Sequence, residues 1–420
     1  MDSGQGGALG DWLRRLEGLH PRSIDLGLER VGRVHAALGA PRPARVVTVA
    51  GTNGKGSLVA LLEAILAAAG YRVGAYTSPH LLRFNERVRI AGAEADDAAL
   101  CAAFARVEAA RGDTSLTYFE FTTLAALLLL AEAPLDVALL EVGLGGRLDA
   151  VNLVDPDVAV LTPIDLDHAE WLGNDRDSVG REKAGIMRSG VPAVLGDPDP
   201  PASVLACAAK LGAPLYRLGQ EFRHAIDAHG WRWEGGGRVR SSLPRPALAG
   251  AHQYANAATA LMALECLADR LPVGQDAVRR GLLEVRLPGR FQVVPGPVET
   301  VLDVAHNPHG ARALAATLAA RPCDGRTLAV VGMLADKALG ETLAALQPLV
   351  HGWYLAPLEG PRGSPAARLA TALGAVEAEV SRCADVADAL ARAHAAARPG
   401  DRVVVFGSFL TVAAALRADL

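Results

Sequence analysis

The 420 residues hold five cysteines, Cys101, Cys207, Cys266, Cys323 and Cys383, and none of them forms a C-x-x-C pair. An odd, scattered set speaks against a disulfide framework and against a cysteine zinc site. Aromatic residues are only 5% of the chain, and neither sign of charge dominates: 42 Lys+Arg face 46 Asp+Glu, a net charge of -4. Without a long basic run, nucleic-acid binding is not indicated. Long apolar runs are missing as well. The most apolar stretch, residues 124–131, is far too short to span a bilayer. The opening MDSGQGGALGDWLRRL lacks the charged-then-apolar order of a signal segment. What is present is the balance of a folded protein, 50% hydrophobic and 21% charged, long enough for two or three domains. A cytoplasmic, enzyme-sized protein with no nucleic-acid or membrane partner is expected.

Short Val-rich runs alternate with Ala/Leu-rich stretches. Buried strands are predicted at 46–50, 73–76, 137–142 and 158–162, with a helix over 58–69 between the first two. Such a series implies a parallel sheet covered on both faces, and so an α/β fold. Residues 213–248 differ, with Gly235, Gly236 and Gly237 in a row beside alternating residues, and are expected to form an antiparallel excursion. A second α/β series follows, with strands near 301–305, 328–331, 353–356 and 402–406. Pro288, Pro295 and Pro297 punctuate the segment between the two series, which places a domain boundary near residue 290. Open sheets of this kind bind ligands beyond the carboxyl ends of their strands.

The strongest local signal is VVTVAGTNGKGSLVALLEAIL. A strand ends at Ala50, and Gly51, Thr52, Asn53, Gly54, Lys55, Gly56 and Ser57 lead into a helix. Glycines let successive backbone N–H groups turn inward, and the new helix aims its positive end at the same point. Lys55 adds a full charge for the β- and γ-phosphates, and the Ser57 hydroxyl reaches a phosphate or magnesium. The loop is shorter than G-x-x-x-x-G-K-[ST], with Gly56 between the lysine and the serine. It predicts a nucleoside-triphosphate site. Gly143-Leu144-Gly145-Gly146 also follows a strand, but Leu148 breaks the G-x-G-x-x-G spacing, so a nicotinamide site is poorly supported.

AGTNGKGS, TSPHLLRFNERVRI (77–90), EVGLGGRLDAVN (141–152), LDHAEWLG (166–173), REKAGI (181–186), LDVAHNPHG (302–310), GMLADK (332–337) and FGSFLTVA (406–413) occur in that order. Together they resemble the folylpolyglutamate synthase family of the Mur ligase superfamily, and SIDLGLERV (23–31) is similar to its bacterial bifunctional form. The resemblance implies a P-loop three-layer ATPase domain over 1–290, followed by a smaller Rossmann-like glutamate-ligase domain over 291–420. It implies ATP-dependent ligation of L-glutamate to dihydropteroate and to reduced folates, through an acyl phosphate, by a monomer. Magnesium, two ions of it, is the implied cofactor, with ATP as co-substrate and room for K+ or another monovalent cation.

Residue by residue, the resemblance places Ser78, Glu141 and His168 on magnesium, with Lys183 carbamylated to support a second ion. The residues alone argue part of this. A glutamate inside an apolar strand is costly to bury unless paired or metal-bound, and Asp165, Asp167 and His168 cluster directly behind a strand. A lone histidine there is more often a hydrogen-bonded loop residue. Asn256 matches a nucleotide-contacting asparagine. Arg290 offers a guanidinium fork to phosphates, and Asp303 is placed to accept ribose hydroxyls. His306 and Ser408 match positions that hold the incoming glutamate. Ile24, Asp25, Leu26 and Gly27, then Thr117, Tyr118, Phe119 and Glu120, then Leu148, Asp149 and Ala150, match segments lining the dihydropteroate pocket. One departure stands out: Asp336-Lys337-Ala338 replaces the family's Asp-Lys-Asp. The alternatives are a monofunctional folylpolyglutamate synthase, a Mur-type ligase acting on another carboxylate, and a non-catalytic P-loop switch. The last of these would need no metal-type residues beyond the loop.

Overall fold

The computed structural model describes residues 7–227 and 230–418. Its first sheet is built from β1 (Val46–Ala50), β2 (Val73–Tyr76), β3 (Val88–Ile90), β4 (Ala93–Glu94), β5 (Val137–Glu141), β6 (Val158–Leu161), β7 (Ala193–Leu195) and β8 (Leu215–Arg217), in the order β4-β3-β2-β5-β1-β6-β7-β8. From β2 to β8 all neighbours are parallel. Every residue of β1 and β5 is buried, as expected for strands covered on both faces. The β3 and β4 edge is antiparallel, a departure from the parallel sheet predicted from sequence. Both strands are too short to show a period, and Ala91 and Gly92, at φ 51° and 83°, turn the chain between them.

The antiparallel excursion is real and narrower than 213–248. It consists of β9 (Phe222–Asp227), β10 (Gly230–Gly235) and β11 (Arg238–Leu243), ordered β11-β10-β9. Trp231 and Trp233 are fully buried on one face of β10. Their indole N–H groups donate to Pro244 O at 2.7 Å and Ala258 O at 3.0 Å, so each large ring is buried without losing its polar bond.

The third sheet holds β12 (Gln292–Val294), β13 (Glu299–Leu302), β14 (Thr327–Val331), β15 (Gly352–Leu355), β16 (Glu379–Arg382) and β17 (Arg402–Phe406), ordered β12-β13-β17-β14-β15-β16. It is parallel except for β12. Because β13 ends at Leu302, Asp303 lies just past the strand.

Contacts divide the chain into two compact units. One holds the residues up to Ala247 together with Tyr254–Val285; the other holds Leu248–Gln253 and Arg286–Leu420. The division therefore involves more than one cut near residue 290. Each unit has its own apolar core. Among the described residues no helix is long and apolar enough to cross a membrane.

In the first sheet β1 lies between β5 and β6: the chain leaves β1 toward β2 on one side and later crosses from β5 over β1 to β6 on the other. Such a reversal opens a crevice at the carboxyl ends of the strands.

Candidate active site

At the end of β1 the backbone does what only glycine allows. Gly51 has φ +143°, and a Cβ there would lie 1.8 Å from Thr162 Oγ1. Gly54, at φ +91°, precedes the helix Lys55–Ala68, and its missing Cβ leaves room for Asn256 Oδ1. Thr52 fastens the loop to the chain leaving β6. Its N–H donates to Pro163 O at 3.0 Å, and its hydroxyl donates to Asp165 O at 2.8 Å and accepts from Asp165 N at 3.0 Å. The positive end of that helix lies at the loop, and no acid lies in its first turn to compete for an anion.

Two lysines meet at one carbonyl. Lys55 Nζ donates to Gly51 O at 3.1 Å and Thr52 O at 3.2 Å, and Lys183 Nζ donates to Gly51 O at 2.9 Å. Lys183, on the helix Arg176–Ala184, is only 4% exposed. Burial, and then the charge of Lys55, bring its pKa down to about 7, against the pull of Asp167 and Asp149. Asp149 is itself buried, which raises it to about 6, although the N–H groups of Leu144 and Val151 and the charge of Lys55 oppose the shift. Glu141 closes β5 as a buried carboxylate and accepts from Ser78 N at 3.3 Å. His168 sits at φ 52° ahead of the short helix Ala169–Leu172, with Nε2 4.0 Å from Asp167 Oδ1. Among the described residues no three His, Cys, Asp or Glu side chains gather as a metal-holding group.

A second cluster lies at the start of the helix Tyr118–Glu132. Thr117 and Glu120 form a reciprocal cap: Glu120 N donates to Thr117 Oγ1 at 3.2 Å, and Thr117 N donates to Glu120 Oε2 at 2.8 Å. The half-buried Phe119 ring faces the backbone just beyond β5, where a Cβ on Gly143 would lie 2.5 Å from it. Tyr76 flanks the same ring at 6.3 Å. Ile24, Asp25, Leu26 and Gly27 form a half-buried coil, and Asp25 is gripped by Arg30. Asp149 caps the 3-10 turn Ala150–Leu153, next to the half-buried Leu148. Sequence reasoning missed Arg30, Gly143 and Thr162. Gly143 was visible only as part of a weak glycine cluster, because its steric partner is 24 residues away in the chain.

In the second unit, residues beyond β13 and β17 converge. The carboxylate of Asp303 accepts from Phe291 N and Ala305 N, both at 2.8 Å, and burial raises its pKa even though Arg290 opposes the rise. The Arg290 guanidinium lies 5.1 Å from the centre of the Phe409 ring. His306 contacts Val304 O through Nδ1 at 2.9 Å, and its ring lies 6.4 Å from Phe409. Ser408 caps the helix Phe409–Arg417, accepting from Thr411 N at 3.0 Å. Asp336 pairs with Arg362 at 2.7 Å, and Ala338 precedes the helix Leu339–Ala344 without a capping side chain.

Two family models match the chain: the Mur ligase middle domain over residues 49–264 and the Mur ligase glutamate ligase domain over residues 289–409. A curated Escherichia coli protein named dihydrofolate synthase/folylpolyglutamate synthase is 52% identical, covering 96% of this chain and 94% of its own. The chain belongs to the dihydrofolate synthase/folylpolyglutamate synthases of the Mur ligase family. Solved relatives agree. Escherichia coli FolC in complex with DHPP and ADP superposes with a TM-score of 0.93 at 50% identity, covering 98% of this chain and 97% of that one. A bifunctional folylpolyglutamate synthase/dihydrofolate synthase with Mn, AMPPNP and L-glutamate bound gives 0.91 at 52% identity, covering 98% of each chain. As a Mur ligase, the chain is an ATP-dependent, amide-forming enzyme with the α/β architecture predicted from sequence.

Proposed function

We propose that the chain joins L-glutamate to dihydropteroate, giving dihydrofolate, and to reduced folates, giving polyglutamates, with ATP consumed to ADP and phosphate. Near-full-length similarity to enzymes named for both activities supports this, as do the relatives holding ADP, AMPPNP, L-glutamate and DHPP. The observation that carries it is the meeting of Lys55 and Lys183 on the Gly51 carbonyl, where a glycine loop opens a helix.

A substrate carboxylate oxygen attacks the γ-phosphorus as the bond to ADP breaks, giving an acyl phosphate. The glutamate amine then attacks the acyl carbon, phosphate leaves, and the amine gives up a proton. Such chemistry asks the protein for position and positive charge. In this proposal the backbone of residues 51–57 and the Lys55 ammonium hold the phosphates. Asn256, Arg290 and Asp303 hold the nucleotide, and His306 and Ser408 the incoming glutamate. The donors fit magnesium, a hard cation: Glu141 is a buried carboxylate beside Ser78. Ser78, Glu141, His168 and a carbamate on Lys183 would hold two such ions, which when bound screen the charge on the phosphates. Lys183 suits carbamylation because its pKa of about 7 leaves much of the amine neutral. The nitrogen attacks CO2, an N–C bond forms and one proton leaves, so a cation that repels metal becomes an oxygen ligand.

Both substrate carboxylates must reach one γ-phosphate, yet that of a reduced folate lies one glutamate further from the pterin. The pterin therefore sits at two distances from Lys55. We assign the nearer place, the dihydropteroate pocket, to residues 24–27, 117–120 and 148–150.

The test is product formation from ATP and L-glutamate with dihydropteroate, tetrahydrofolate or a muropeptide precursor as acceptor. Amide product is expected with the first two. Turnover of the muropeptide precursor alone would overturn the proposal, and no product from dihydropteroate would leave only the polyglutamate activity.

A further inference from the structure

Arg30 has no role in the chemistry above, yet it makes the densest ionic contact of the dihydropteroate region. It lies in the first turn of the helix Glu29–Leu38, with a side chain 21% exposed. Its Nε donates to Glu120 Oε2 at 3.0 Å, and Nη2 stands 2.9 Å from Glu120 Oε1. Nη1 donates to Asp25 Oδ2, and Nη2 donates to the Asp25 carbonyl oxygen. Glu120, with a side chain 6% exposed, also caps Thr117. One planar fork thus joins the coil carrying Asp25 to the first turn of the helix carrying Phe119.

Two consequences follow. Asp25 Oδ2 is committed to Arg30, with His20 Nε2 at 3.6 Å beside it, while Arg22 Nη1 lies 3.9 Å from Oδ1. Secondly, because Arg30 grips the backbone carbonyl as well as the side chain, it fixes the path of the chain leading into Leu26 and Gly27. A lysine would keep the charge and lose the fork, since it has one nitrogen where Arg30 uses three.

We propose that Arg30 is the positioning residue for the dihydropteroate pocket, holding residues 24–27 against the Thr117–Glu120 cap. The proposal rests on the pocket assignment made above. Its effect falls on binding of dihydropteroate, because the clamp joins residues assigned to that pocket and touches no residue of the phosphate loop.

The experiment measures kcat and KM with dihydropteroate and with tetrahydrofolate for the full chain and for Arg30→Lys, Asp25→Ala and the double variant. Tetrahydrofolate turnover on each preparation also reports that the protein is folded. Arg30→Lys is expected to raise KM for dihydropteroate roughly tenfold, the scale of a lost hydrogen bond to a charged group, while leaving kcat nearly as it was. The tetrahydrofolate constants should move far less. The double variant should be little worse than Asp25→Ala, because both changes open the same clamp. As a second variant, Arg30→Ala should regain part of its dihydropteroate binding when guanidinium is added. An equal loss on both substrates, a loss in kcat instead of KM, or additive losses in the double variant would overturn the proposal, provided Asp25→Ala remains selective. If Asp25→Ala itself weakens both substrates alike, the pocket assignment falls, so the two failures are distinct.

Discussion

Two acids at the amino ends of parallel strands, Asp157 and Asp401, lie among arginines and backbone N–H groups; beyond the carboxyl ends, Lys183, Asp149 and Asp303 are buried with their charge opposed by burial. Asp157, just before β6, accepts from Arg42 at 2.7 Å, Arg45 at 3.3 Å and Val46 N at 2.8 Å. Asp401, just before β17, accepts from Arg326 N, Arg398 N and the Arg326 guanidinium. Burial alone would raise Asp401, but those donors overcome it and hold the carboxyl at about 2. Beyond the other ends of the strands, Lys183 falls to about 7, Asp149 rises to about 6, and Asp303 is raised as well. The two acids at the amino ends are thus settled and the three groups beyond the carboxyl ends are not, as expected if ligands complete the second set.

Removing charge from the unsettled end should sharply lower turnover and spare the fold. Lys55→Ala is expected to lower ligation by roughly 10²–10³-fold, about 2.7–4 kcal/mol of transition-state stabilisation, on the scale of one lost oxyanion donor. Near-normal turnover by a folded Lys55→Ala protein would break the phosphate-loop assignment. Lys183→Ala should cost at least the roughly 10–100-fold that follows loss of a group merely supporting a metal ligand, and acetate should restore part of it. Intact-mass measurement at neutral pH should find one added CO2 on Lys183. A structure with nucleotide and magnesium that shows an unmodified Lys183 facing solvent would defeat this expectation.

The smallest effect on turnover belongs to the settled end. Asp401→Asn should reduce stability by about 1–3 kcal/mol through weakened hydrogen bonds to a charged group, with unchanged specific activity in the folded fraction. The pH dependence has a definite sign. The Asp401 carboxyl titrates lower in the folded chain than its ordinary 3.8, so its contribution is present above pH 4 and is lost as pH falls toward 2. Denaturant melts of both proteins across that interval check this: the wild-type advantage should shrink with acid.

The sequence made eight parallel strands legible to within three residues, because strands covered on both faces are continuous Val-rich runs bounded by turn residues; it missed the parallel strands β7, β8 and β16, which are only three or four residues long. It could not show the antiparallel β3–β4 edge, which is too short for any period. The phosphate loop was legible because its chemistry is local: strand, glycines, lysine and helix are consecutive. Glu141 could be singled out as a carboxylate in an apolar strand. Lys183 was reached only through the family resemblance, since its burial against Gly51 O comes from a contact 132 residues away in the chain. Arg30 stayed hidden for a similar reason, its Glu120 partner being 90 residues distant.

Gly143 bears on how this pocket would respond to selection by an inhibitor. Its Cα hydrogen is all that separates the backbone beyond β5 from the Phe119 ring, and any side chain begins with a Cβ 2.5 Å from that ring. A compound resting on Phe119 and on the bare backbone at Gly143 would meet a wall with no side chain to exchange. Every replacement at position 143 displaces the aromatic surface that we assign to the natural substrate. Escape by mutation at that point would therefore damage the enzyme's own binding of dihydropteroate, and resistance would have to arise elsewhere in the pocket.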